Sequence, residues 1–179
     1  MTGRTPEAKE LYHGNFLSIV TVGSWEYVRR INASGVIAIV PITDQHEIVL
    51  ISQYRPPLQG LVLELPAGLV GDEPGAEDES LHVAAERELL EETGYRAGKI
   101  EQVFTAASSA GLTDEMITFF LATELSRVGP GGGVAGESIE TVVIPLDKVD
   151  QYLTEMAQSG CFIDAKLLTG LYLARRAKK

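Results

Sequence analysis

The sequence predicts an α/β fold with helices packed on a mixed sheet. Three observations carry that expectation. Gly35 to Ile42 (GVIAIVPI) is a near-continuous aliphatic run, the pattern of a strand covered on both faces. Glu79 to Tyr95 (ESLHVAAERELLEETGY) has the hydrophobic spacing of a helix, with Gly94 as its stop. Further strand-like runs lie on both sides of that helix, and two more helical stretches close the chain. With 179 residues, 45% hydrophobic and 22% charged, the chain fits one domain large enough to bury a real core.

In chain order, Phe16 to Val22 and Trp25 to Arg30 read as two strands around a Gly23-Ser24 turn. The aliphatic run follows, then a turn at Asp44-Gln45-His46 and a strand from Glu47 to Tyr54. Pro56-Pro57 ends that strand, because proline cannot donate to a ladder. Leu61 to Leu65 is a short strand leading into a loop at Pro66-Ala67-Gly68. Beyond the acidic helix, Ile100 to Thr105 and Met116 to Thr123 are strands joined by a loop of small residues. Gly129 to Gly136 (GPGGGVAG) reads as the most flexible stretch. A strand from Glu140 to Pro145, a helix from Asp147 to Gln158 and a last helix from Cys161 to Lys178 complete the chain. No internal repeat or long linker divides it.

The helix at Glu79–Tyr95 carries the chemistry. At about 100° per residue, Leu81, Ala85, Glu88 and Glu92 fall on one line, flanked by Ala84 and Leu89. Two carboxylates therefore share a stripe that should face the interior, with Glu91 slightly to one side. Buried carboxylates must meet cations or stay protonated. Arg87 can pair with Glu91 at i,i+4, but one guanidinium cannot neutralise three acids. A hard divalent ion can, since Mg²⁺ takes one or two carboxylates and completes its shell with water and phosphate. A solvated acidic face is the plainer alternative, and it leaves the shared line with Leu81 and Ala85 unexplained.

Composition narrows the classes. A net charge of −10 argues against nonspecific binding to nucleic acid or acidic membranes. A bound metal ion would reconcile that charge with a phosphorylated substrate locally. The single Cys161 precludes an internal disulfide and suits a reducing compartment. MTGRTPEAKE has no apolar leader core, and no run has the length of a membrane span. The expectation is a cytoplasmic enzyme. His13, His46 and Cys161 lack ligand spacing.

Glu79, seven residues, then Arg87-Glu88-Leu89-Leu90-Glu91-Glu92-Thr93-Gly94-Tyr95 resembles the Nudix box, Gly-x5-Glu-x7-Arg-Glu-U-x-Glu-Glu-x-Gly-U. Its opening glycine departs: the strict spacing falls on Glu73, and Gly68 takes its place with five residues inserted around Gly71 to Gly75. Trp25-Glu26-Tyr27-Val28-Arg29-Arg30, Gln53-Tyr54-Arg55-Pro56-Pro57, Glu64-Leu65-Pro66-Ala67-Gly68 and Gly136-Glu137-Ser138-Ile139-Glu140 follow in order. Together they resemble the branch that splits ADP-ribose and nucleoside diphosphate sugars. The likeness runs from about Trp25 to the final helix.

That resemblance implies an α/β/α sandwich with a mixed sheet, preceded by a short N-terminal β extension. Residues 1–32 would form the extension and a homodimer contact, and 33–179 the Nudix domain. It implies hydrolysis of the diphosphate in a nucleoside diphosphate sugar to a nucleoside monophosphate and a sugar phosphate. The alternatives are action on another nucleoside diphosphate derivative, or a nucleotide-binding module without hydrolysis. The metal, Mg²⁺ with Mn²⁺ as a substitute, would be held by Glu88, Glu92 and the carbonyl of Ala67, with Glu91 as an additional ligand. Arg87 joins Glu91 in the catalytic group. Glu137 matches the general base, with Glu140 as the fallback. Arg55 matches an arginine on the diphosphate, or else pairs with Glu64 beneath the loop. Trp25 would stack on the nucleobase, or else serve a core or interface, and Arg30 would assist it. Branch members that act on ADP-ribose usually carry a proline in the loop after the box. Here that loop reads Ser109-Ala110-Gly111, so ADP-ribose and other nucleoside diphosphate sugars stay equally open.

Overall fold

Strand β4 (Gly35–Pro41) sets the layering. Successive side chains of a strand point to opposite faces, so an all-apolar strand must be covered twice. Ile37 and Ile39 enter one cluster with Ala84, Ala85 and Leu89 of helix α1 (Leu81–Thr93). Ala38 and Val40 enter the other with Val149 and Leu153 of α2 (Val149–Gln158) and Leu167 and Leu171 of α3 (Ala165–Ala177). All four β4 side chains are fully buried. The computed structural model that gives this arrangement describes residues 7–72, 75–134, 136 and 138–177.

Two four-stranded sheets form the centre. One contains β7 (Ala67–Val70), β4, β9 (Met116–Arg127) and β8 (Tyr95–Ala107) in that order. It is mixed, since β4 runs parallel to β9 and antiparallel to β7. The other contains β10 (Ile139–Pro145), β5 (Glu47–Arg55), β6 (Gly60–Glu64) and β11 (Phe162–Ile163). Helix α1 covers the first sheet, while α2 and α3 pack into the larger core. The expected sandwich of helices around a mixed sheet is what the chain forms.

A separate antiparallel sheet precedes it, made of β1 (Lys9–His13), β2 (Leu17–Val22) and β3 (Trp25–Arg30). Val22 pairs with Trp25, so Gly23-Ser24 is the two-residue loop that the sequence suggests. Gly23 has φ of 62°, the left-handed conformation such loops require.

Several boundaries differ from expectation for identifiable reasons. Cys161 to Ile163 does not begin the last helix, because Phe162 and Ile163 pair in parallel with Val62 and Leu63. Ala67 to Val70 is a strand rather than a loop; it pairs with β4 despite the preceding proline. β8 begins directly after Gly94 and is five residues longer at its start than Ile100 suggested. Strand β1 is exposed at every position, so hydrophobic patterning carries no trace of it.

Candidate active site

Helix α1 is closed at both ends by local chemistry. Ser80 caps its start by accepting from the Val83 N–H at 3.2 Å. Gly94, with φ of 73°, ends it and donates back to the Leu90 carbonyl. Between the caps, the acidic stripe turns inward as its spacing predicts. Glu92 is 6% exposed, and its carboxylate accepts the Ala67 N–H at 3.0 Å. Burial pushes the Glu88 carboxyl up to about 7; Arg87 opposes this, while Glu91 and Asp72 add to it. Strand β7 lies against Glu88 so closely that a Cβ at Gly68 would stand 2.0 Å from its Oε1. Gly68 thus has a local reason to be glycine, whichever residue the loop aligns with. Glu73, at the strict box position, lies outside the described residues.

Arg87 organises the acids around it. Its Nε and Nη2 donate to Glu79 at 2.9 and 3.1 Å, and Nη1 reaches Glu88 at 2.9 Å and Glu91 at 3.2 Å. A further bond to the Leu69 carbonyl ties the helix to β7. The Glu79 pair is the leading cause that raises the guanidinium's proton affinity, and it holds the Glu79 carboxyl below its usual range. Glu91 alone was the expected partner; the sequence missed Glu79 because its contact closes a loop instead of a helical turn. One positive charge serves three carboxylates and does not overcome the burial that raises the Glu88 pKa. Arg87 and Glu91 stand behind the cavity wall and do not line it.

The cavity in front of this wall has a volume of about 630 Å³. Ala67, Gly68, Asp72, Glu88 and Glu92 form its acidic side. Three cations also line it, each held by a carboxylate. Arg30 bonds Glu115 at 2.8 Å, Arg55 bonds Glu64 at 2.8 Å, and Lys166 bonds Asp164 at 2.5 Å. The two readings of Arg55 are compatible, since its Nε meets the buried Glu64 while the side chain also reaches the cavity. Burial raises the Glu64 carboxyl and the Arg55 contact pulls it down. Sequence reasoning missed Gln53, Asp72, Glu115, Asp164 and Lys166 as site residues. They come from elements far apart in the chain, and Arg30 and Glu115 are 85 positions from each other.

Other candidates lie elsewhere. Trp25 is 60% exposed on the β2–β3 hairpin and does not line the cavity. Glu137 lies outside the described residues, and Glu140 is exposed on β10. The glycine-rich stretch before them, read as the most flexible, is tied to the end of α1. Gly132 and Gly133 donate to the carbonyls of Glu92 and Glu91 at 3.0 Å. A Cβ on Gly131 would stand 2.5 Å from the Thr93 carbonyl carbon, so this approach requires glycine.

The donor set suits a hard divalent ion. Among the described residues no three His, Cys, Asp or Glu side chains converge as a closed metal site would require. An ion that keeps water and takes substrate phosphate needs only one or two carboxylates. Glu88 and Glu92 provide two on one cavity wall, and oxygen donors without thiolate or imidazole select magnesium-like ions. The raised Glu88 pKa is the electrostatic demand that such an ion would meet.

Residues 33–165 match the NUDIX domain, and the chain belongs to that family. A methanol dehydrogenase activator from Bacillus methanolicus is 36% identical over 124 residues, 68% of this chain and 63% of that protein. An ADP-ribose pyrophosphatase from Bacillus subtilis is 41% identical over 92 residues, 51% of this chain and 47% of that protein. A GDP-mannose pyrophosphatase from Salmonella arizonae is 34% identical over 128 residues, 66% and 61% of the two chains. The chain thus spans roughly half to two thirds of the length of these relatives. The fold is shared with the crystal structure of an ADP compounds hydrolase, at a TM-score of 0.74 and 22% identity, covering 97% of this chain and 92% of that one. Among the described residues no helix is long and apolar enough to cross a membrane.

Proposed function

We propose that this chain is a metal-dependent hydrolase of nucleoside diphosphate sugars, ADP-ribose among them, releasing a nucleoside monophosphate and a sugar phosphate. One observation carries the reading: a single cavity is lined by the box acids Glu88 and Glu92 and by the cations Arg30, Arg55 and Lys166. A diphosphate needs both, cations for its oxygens and a metal site for the chemistry. Relatives that act on ADP-ribose and GDP-mannose support the substrate class.

Glu88, Glu92 and the Ala67 carbonyl would hold Mg²⁺, with Mn²⁺ as a substitute and Glu91 as an additional ligand. When bound, the ion lowers the pKa of a coordinated water and shields charge on the phosphates. Arg87 keeps Glu88 and Glu91 in place. Arg55 donates to the diphosphate with the guanidinium nitrogens that Glu64 does not use, a positioning role. Glu137 takes the proton of the attacking water, with Glu140 as the alternative. Water adds at one phosphorus, the bridging P–O bond breaks, and the second phosphate leaves with its oxygen.

The N-terminal sheet supports a homodimer that completes the nucleoside end. Phe16, Tyr12, Ile19 and Trp25 are exposed there at 74, 62, 41 and 60%. Such an apolar surface on a three-stranded element suits burial against a second copy. Trp25 would then stack on the base bound by the partner subunit. The lone cysteine fits residence in the cytoplasm. Incubation with a panel of nucleoside diphosphate sugars and Mg²⁺, with both products identified, tests the proposal. Paired release of a nucleoside monophosphate and a sugar phosphate is expected, and inertness toward the whole panel would refute it.

A further inference from the structure

Besides its acidic wall, the cavity is lined by two polar groups from separate parts of the chain. Arg30 of the N-terminal sheet and Glu115 make the first. Asp164, just before α3, and Lys166 and Thr169 in the first turns of α3 make the second. Lys166 and Thr169 fall beyond the last residue matched to the NUDIX domain.

The second group is rigidly mounted. Strand β11 pairs with β6, and the Asp164 N–H donates to the Leu63 carbonyl at 3.1 Å. The Asp164 carboxylate then accepts the Lys166 N–H at 2.6 Å through one oxygen and the Lys166 ammonium at 2.5 Å through the other. Lysine carries three donors and a carboxylate about four lone-pair sites, so each retains hydrogen-bonding capacity toward the cavity. Thr169 adds a hydroxyl that donates to the Ala165 carbonyl at 3.4 Å and keeps its lone pairs to accept from a ligand.

We propose that Asp164, Lys166 and Thr169 form the subsite for the sugar of the substrate and set which sugar is accepted. A sugar presents hydroxyls that each donate and accept, and this group offers acceptors in Asp164 and Thr169 beside a donor in Lys166. No aromatic side chain accompanies them on α3 in the cavity lining, so nothing from that helix favours a base. A site built to bond hydroxyls rejects ligands that lack them, because its own polar groups are left unpaired. The inference rests on the proposed substrate class. It assigns the sugar to α3 and leaves the nucleoside to the group that contains Arg30.

Binding measured in EDTA tests the subsite apart from hydrolysis. The ligands are ADP-ribose and GDP-mannose, each beside the methyl ester of the same nucleoside diphosphate, which has no sugar. Lys166→Met should weaken the better-bound nucleotide sugar by about tenfold to a hundredfold, and its methyl ester by less than about threefold. Asp164→Asn should move the same ligand in the same direction, and Lys166→Arg should restore part of the affinity. Equal losses for sugar and ester would overturn the assignment, because the residues would then act on the diphosphate or on the fold. Unchanged binding, or wild-type protein that binds none of the four, would overturn it as well. Tight, Lys166-dependent sugar binding without turnover in Mg²⁺ would sustain the subsite while refuting hydrolysis.

Discussion

Replacing Glu88 by glutamine should stabilise the metal-free protein, although it destroys a residue of the candidate site. The Glu88 side chain is 14% exposed, and its carboxyl is raised from 4.5 to about 7, chiefly by burial. A carboxyl whose folded pKa exceeds its unfolded one keeps a proton that the unfolded chain has released. Stability therefore declines as pH rises between those two values and levels off above the higher one. At about 1.4 kcal/mol per tenfold change in proton affinity, the penalty above neutral pH is roughly 3 kcal/mol. Losing the Arg87 contact offsets about 1 kcal/mol of the gain, since Glu79 and Glu91 still hold that arginine. Urea unfolding in EDTA should thus find Glu88→Gln more stable than wild type by about 2 kcal/mol at pH 8. The advantage should shrink below pH 7, cross zero at about pH 5 and turn into a slight disadvantage below that. Added Mg²⁺ should reverse the order at pH 8, because an ion at a hundred times its Kd stabilises its binder by about 2.7 kcal/mol. A variant less stable than wild type in EDTA at pH 8, or one with an unchanged pH profile, would refute the reasoning.

Three further outcomes follow from the same geometry. Gly68→Ala should lower activity by about tenfold or more, because its Cβ would displace the Glu88 carboxylate from 2.0 Å away; steady-state kinetics with a Mg²⁺ titration will show it as a higher Mg²⁺ concentration needed for half-maximal rate. Glu137→Gln should reduce kcat by about a hundredfold or more with an unchanged Mg²⁺ dependence, while Glu140→Gln stays near wild type; the opposite result exchanges their roles. Deleting residues 1–24 should give a monomer by sedimentation that binds nucleotide poorly, and a monomeric intact protein with full activity would return Trp25 to its own subunit.

The sequence made the centre of this molecule legible because its patterns are strong. The unbroken apolar run at β4 demanded two covering layers, and α1 and α3 supply them. The spacing of Leu81, Ala85, Glu88 and Glu92 foretold an acidic stripe turned inward, and Glu92 is buried as that spacing requires. What stayed hidden depends on contacts between distant segments. Glu79 reaches Arg87 from just before α1, and Arg30 of β3 meets Glu115 in the loop before β9. Asp164 and Lys166 look like an ordinary helix start until β11 docks on β6 and brings them to the cavity. Strand β7 was concealed by Pro66 and Gly68, residues that usually interrupt strands. Trp25 is singled out by the family resemblance, and its exposed place on the hairpin is a matter of topology.

The most direct test of the account is the activity of Glu92→Gln at saturating Mg²⁺. Glutamine keeps a side-chain oxygen for the Ala67 N–H, so the substitution removes charge while sparing the bond that seats β7. With folding verified by circular dichroism, hydrolysis of the best nucleoside diphosphate sugar should fall by about a hundredfold to a thousandfold. Retention of more than about a tenth of the wild-type rate would contradict the assignment of Glu92 to the metal.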